Sequence, residues 1–149
     1  MLLVAVSGFL ATIGFGVLFN IKGLKLLLAG IGGMLGGVIY YLCKQNQCPE
    51  ALSLFCAGVS FALYSECFAR ICHTPVTTFV ICALIPLVPG KGMYETMRYA
   101  VANDAQAALQ TGLNTLINAG ALALGIIFVS TLMRLFWHHN KNAKASIFN

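Results

Sequence analysis

Two prolines three residues apart, Pro86 and Pro89, followed by Gly90-Lys91-Gly92-Met93-Tyr94, form the most unusual stretch of the chain. Each proline removes a backbone donor, so carbonyls one turn earlier lose their helical partners. Gly90 and Gly92 let the chain turn, and a helix starting near Met93 aims free N–H groups and its positive dipole end back at the break. Amides facing a carboxylate and freed carbonyls facing an ammonium or a coupling ion make a site for a small charged solute, and Lys91 strengthens the anion half. Pro86, Pro89, Gly90, Lys91, Gly92 and Tyr94 are the candidate contacts. The competing reading is a plain helix-ending loop with Lys91 among lipid headgroups.

Two further constellations carry charge or hydrogen-bonding capacity. Glu66 stands four residues before Arg70, the favourable orientation for a helical ion pair, with His73 beyond. An uncompensated carboxylate deep in hydrocarbon costs roughly 2.5–3.5 kcal/mol on insertion scales, so Glu66 is expected to face Arg70 or a cavity. The pair is a candidate for ion coupling through Glu66, or an interfacial anchor whose arginine snorkels. Asn114 and Asn118 lie one helical turn apart beside Thr111 and Thr115. As substrate contacts Asn114 and Asn118 line a polar path shared with the break; the other reading is hydrogen bonding between helices, which fixes helix rotation.

The elements that must position these residues are set by composition. Of 149 residues 59% are hydrophobic and only 9% charged, against about a quarter charged in soluble proteins. The mean hydropathy is +0.85, and a water-soluble fold could not hide that much apolar surface. The expected fold is therefore an all-α integral membrane protein, one transmembrane domain over residues 1–149 with about five segments. The runs are 2–19, 26–43, 51–69, 75–88 and 113–137, with an amphipathic connection over 91–110 and a cytoplasmic tail over 138–149. The fourth run is short and broken by prolines: 14 residues at about 1.5 Å each reach about 21 Å, less than the roughly 30 Å hydrocarbon core.

In the first run Gly8, Thr12 and Gly16 recur every four residues, and the second holds Gly30, Gly32, Gly33, Gly36 and Gly37; both patterns let helix backbones approach closely. Tyr94, Met97, Val101 and Ala105 share one face of the connecting helix. The opening residues lack a basic n-region, so the first run is expected to be retained. If five runs cross, Lys22, Lys25, Arg70, Arg134, Lys141 and Lys144 collect on one side and Lys44, Lys91 and Arg98 on the other. The positive-inside rule then places the N-terminus outside and the C-terminus in the cytoplasm of a bacterial inner or plasma membrane. A re-entrant fourth run would nearly erase that asymmetry.

Several functions are excluded or disfavoured. The net charge of +5 comes from cations scattered singly at run ends, which fits topology and not a nucleic-acid face. A nucleotide P-loop fails because position 85 is Ile and position 92 is Gly. With four acidic residues and no nucleophile–base set, no enzyme or cofactor chemistry is expected. An enzyme acting on a phosphorylated lipid is the alternative that Lys91 and Arg98 suggest, though metal-assisted phosphoryl transfer needs more carboxylates than Asp104. The six cysteines contain no C-x-x-C pair and read as small buried hydrophobes; Cys43 and Cys48 flank a short loop where pairing stays open. His138 and His139 beside Trp137 read as an interfacial cluster before a metal site.

Ala69-Arg70, Thr74-Pro75 and Ile85-Pro86-Leu87-Val88-Pro89-Gly90, with Tyr94 and Met97, resemble the threonine/serine exporter (ThrE) family, and more narrowly its small, separately encoded membrane subunit. The likeness covers nearly the whole chain in length and hydropathy, and its specific part runs from Arg70 to about Asn118. It implies a secondary transporter in a hetero-oligomer, whose larger membrane subunit supplies the other half and which moves threonine, serine or, in some relatives, succinate outward. A purely structural subunit without transport groups of its own is the other reading. Lys91 departs from the family pattern, where a small uncharged residue is expected; a fixed cation there favours a dicarboxylate over a zwitterion.

Overall fold

The computed structural model describes residues 1–145, apart from the side chains of Phe136 and of residues 138–145. The expectations placed on His138, His139, Lys141 and Lys144 lie outside the described side chains. Among the described residues every regular element is helical: α1 (Leu2–Leu18), α2 (Leu24–Gln45), α3 (Glu50–Ile71), α4 (Val76–Leu84), a 3-10 turn (Ile85–Leu87), α5 (Gly90–Val101) and α6 (Ala105–Ala145).

Helices α2, α3 and α6 are each long and apolar enough to cross a membrane. The 17-residue α1 is apolar but shorter, and Val76–Leu87 and Gly90–Val101 qualify only together, as a pair bent by 47°. The chain is thus a helical membrane protein with three clear spans and two further candidates. The stretch expected as one amphipathic helix over 91–110 is divided: α5 stops at Val101 and α6 begins at Ala105, well before the apolar run. Asp104 makes that new start, accepting the Ala107 amide on its carboxylate at 3.1 Å. Its Asn103-Asp104 signature is a helix stop followed by a cap.

Four helices end in the same way. After α1, α2, α3 and α5 the chain passes through one left-handed residue, Asn20, Gln47, His73 and Asn103, with φ between 47° and 58°. In each case two amides turn back on the last helical carbonyls: Ile21 to Gly16 and Asn20 to Val17, Cys48 to Cys43 and Gln47 to Lys44, Thr74 to Ala69 and His73 to Arg70, Asp104 to Tyr99 and Asn103 to Ala100. This closure satisfies carbonyls that hydrocarbon could not. Pro49 and Pro75 then follow within two residues and start the next helices.

Small residues set the helix contacts. Gly33 lies against the Thr12 side chain, and a Cβ at Gly8 would stand 3.2 Å from the Gly33 carbonyl oxygen. Thr12, fully buried, turns its hydroxyl onto the Gly8 carbonyl at 2.8 Å, so this polar group costs the seam nothing. On the other side of the bundle Gly58 and Gly125 bring α3 and α6 together: a Cβ on Gly125 would meet the Phe55 carbonyl oxygen at 2.7 Å. Gly58 meets Leu122, and Arg70 lies over Trp137, so α3 and α6 run parallel. α5 runs antiparallel to α6, with Gly92 against Thr115 and Gly112 against Thr96.

This register places Glu50, the start of α3, level with about residue 116 of α6. The α5–α6 hairpin therefore continues about 16 Å past that end of the bundle. Its inner face is the small-residue face, so the stripe of Met93, Tyr94, Met97 and Val101 points away from the protein and is exposed. All six cysteines are free thiols, Cys43 and Cys48 among them.

Gly125→Ala is expected to destabilise the chain by about 1–3 kcal/mol, because its neighbour is backbone that cannot move aside. Gly120→Ala, with nothing within 4 Å of the added methyl, should be neutral or slightly stabilising. Thermal unfolding of both variants in detergent checks this, and equal losses would contradict the α3–α6 contact.

Candidate functional site

The break between α4 and α5 is built by Val88 and Pro89, and not by a left-handed glycine. Val88 is extended at φ −60°, ψ 133°, and Pro89 has φ −73°, ψ 59°. Gly90 has no positive φ and open space around its Cβ position, correcting the expectation that it turns the chain. Gly92 does have a packing role, since Thr115 fills the place of its missing side chain.

Backbone pairing across the break is incomplete. The Val88 amide reaches the Leu84 and Ile85 carbonyls at 3.2 and 3.3 Å, and the Gly90 amide turns to the Val88 carbonyl at 2.7 Å. The Met93 amide takes the Pro89 carbonyl at 3.3 Å. Among the described residues no backbone partner remains for the carbonyls of Pro86 and Leu87 or for the amides of Lys91 and Gly92. Two acceptors and two donors are thereby concentrated within seven residues, the donors at the positive end of a 12-residue helix.

Beside them lies a cavity of about 490 Å³, bounded by Pro86, Leu87, Pro89 and Lys91 of the break, Ser7, Gly8 and Ala11 of α1, Gly33, Gly37 and Tyr40 of α2, and Glu50 and Leu54 of α3. Its volume falls in the roughly 300–1,000 Å³ range of small-molecule sites. Glycines 33 and 37 make room for it by presenting no side chain. Lys91 and Glu50 give the lining both signs of charge. Lys91 lies at the surface of this cavity, 87% exposed, with its Nζ 3.7 Å from Glu95 Oε1.

The structure does not bring every expected contact here. Tyr94 is 69% exposed on the outer face of α5. Asn114 is exposed and Asn118 half-buried on α6, and neither bounds the cavity. Between the break and α6 there is instead an apolar gap of about 190 Å³ lined by Leu84, Val88, Pro89, Ala119, Leu122, Ala123 and Ile126. Ser7, Tyr40 and Glu50 were not singled out as contacts by sequence. They come from three different helices, and the acidic start of α3 after Pro49 was their one visible signal.

At the opposite end Arg70 Nη2 donates to Glu66 Oε2 at 3.1 Å, and the guanidinium lies over Trp137, 4.4 Å from the ring centroid. Glu66 is almost fully buried. Among the described residues no group of three or more His, Cys, Asp or Glu is placed to hold a metal.

If the break is what frees these groups, Pro89→Ala, which restores a donor for the Ile85 carbonyl, should straighten the chain into one helix. Hydrogen exchange should then slow at Lys91 and Gly92 to the level of mid-helix amides. Equal protection of these amides in wild type would refute the open pairing. Gly90→Ala should leave the exchange pattern unchanged.

No curated protein and no solved structure matches the chain. A family model does match, over residues 4–132, described as the threonine/serine exporter, ThrE. That range contains all the helix seams, the whole break with its cavity and the Glu66–Arg70 pair, and on it the chain belongs to the threonine/serine exporter (ThrE) family.

Proposed function

We propose that the chain is the small subunit of a two-component secondary exporter that carries threonine, serine or a related small carboxylate such as succinate outward. It works beside a larger membrane subunit of the same family. Membership of an exporter family makes the chain a transport protein and not an enzyme. The observation that carries the finer reading is the break: unpaired Pro86 and Leu87 carbonyls and unpaired Lys91 and Gly92 amides beside a cavity of about 490 Å³. Such half-helix ends bind the charged groups of transporter substrates.

The charges favour a zwitterion in this cavity. The α5 amides with Lys91 suit a carboxylate, and Glu50 with the freed carbonyls suits an ammonium. Glu50 answers the preference for a dicarboxylate that Lys91 alone suggests. Five crossings, with the bent α4–α5 pair as the fourth, put Lys22, Lys25, Arg70 and Arg134 at the cytoplasmic end and the cavity toward the outside. The exposure of Lys91 and its pairing with Glu95 favour the second reading, a structural subunit whose partner holds the transport groups.

Proteoliposomes holding both subunits should release preloaded threonine, and liposomes with this chain alone should not. Glu50→Gln and Lys91→Ala should each slow release about tenfold, the loss of one charge-assisted contact. Unaltered release by both variants would favour the structural reading, and strong release by the chain alone would overturn the two-component one.

A further inference from the structure

A second cavity, of about 610 Å³, opens between α3, α4 and α6 at the other end of the bundle. Thr77 on its wall and Pro86 at the break are nine residues apart, about 14 Å of helical rise. Glu66, Arg70, Thr77, Ser130, Thr131 and Arg134 supply its polar lining, over a floor that includes Val80 and Ile126. Glu66 is almost fully buried in this lining, whereas Thr77, Thr131 and Arg134 stand exposed on its open side.

The state of these groups is informative. Thr12, Ser53, Ser60, Thr96 and Thr115 all spend their hydroxyls on the carbonyl four residues earlier. Among the described residues the hydroxyls of Thr77, Ser130 and Thr131 make no hydrogen bond, nor does Arg134 have an acidic partner. Glu66 engages Arg70 through one oxygen only, and the other, Oε1, is unused. Arg70 itself is held by Glu66 and Trp137, while its Nε is shut from solvent without an acceptor.

We infer that this cavity is a second binding site, one that takes an α-amino acid bearing a side-chain hydroxyl. The α-carboxylate pairs with Arg134. The α-ammonium meets the free oxygen of Glu66, and the hydroxyl is shared by Ser130, Thr131 and Thr77. Arg70 is a positioning residue that holds the Glu66 carboxylate. The inference rests on the exporter reading for its place at the cytoplasmic end, where an exported solute is loaded before it reaches the cavity at the break. The recognition chemistry is independent of that placement.

Equilibrium binding of radiolabelled L-threonine to the purified full chain in lipid nanodiscs tests it. Unlabelled serine should compete. Threoninamide, which lacks the carboxylate, N-acetylthreonine, which lacks the ammonium, and 2-aminobutyrate, which lacks the hydroxyl, should each compete about tenfold less well or worse. Arg134→Gln should weaken binding by a similar factor, and Thr131→Val should abolish the preference for threonine over 2-aminobutyrate. Both residues are exposed, so both variants should fold, which elution as a single species verifies.

Absence of threonine binding by wild type at millimolar concentration overturns the inference. So does binding that is indifferent to Arg134 and Thr131 but lost in Lys91→Ala, which assigns the ligand to the other cavity. Binding that depends on Arg134 without any release from two-subunit proteoliposomes would sink the exporter reading and leave this site standing.

Discussion

Helices in hydrocarbon gain nothing from hiding apolar side chains from one another, so they associate where backbones can touch. Everything else in this chain depends on that constraint. On one side of the bundle Gly8, Thr12 and Gly33 bring α1 against α2, and on the other Gly58 and Gly125 bring α3 against α6. Leu54, Phe61, Ala83 and Leu122 then fill the centre where α3, α4 and α6 meet. Because the seams are backbone contacts, they fix axial register as well as distance. The fixed register decides which polar groups share a cavity.

Against that frame of regular helices, the segment from Ile85 to Lys91 stands out as irregular. Four Schellman-type closures pair the carbonyls at the ends of α1, α2, α3 and α5, and Asp104 caps α6. At the break the same accounting leaves two carbonyls and two amides over. Among the described residues first-turn amides are open at the starts of α2, α3 and α4 as well, so what sets the break apart is that open carbonyls and open amides lie together beside a cavity, which is the physical argument for a binding role there.

Helix existence, the close-packing glycine faces and the proline break were legible in the sequence because each follows from spacing along one element. The Glu66–Arg70 pair was legible for the same reason. What failed depended on relations between elements. Asn114 and Asn118 were expected near the break, but α6 starts at Ala105, and the Gly58–Gly125 contact sets its rotation so that Ala119 and Leu122 face Pro89 instead. Tyr94 was expected at the site because it closes the stretch that starts with Pro86, yet α5 presents Gly92 and Thr96 to α6, since small residues allow the closer approach. Ser7, Tyr40 and Glu50 meet only after three helices have docked, and no spacing within one helix encodes that.

The unbroken length of α6 has a mechanical consequence. Its contact with α3 runs from Gly58 and Gly125 to Arg70 and Trp137, about 18 Å along a 41-residue rod, so the two helices are held as one body. Ala105 lies about 28 Å beyond the Gly58–Gly125 end of that contact, whereas Arg134 lies within its length. The hairpin end, tied to α5 through Gly92 and Thr115, is the free arm of the rod and leads back to the hinge at Val88–Pro89. A load on that overhanging arm reaches the break through α5 while the α3–α6 seam keeps its register.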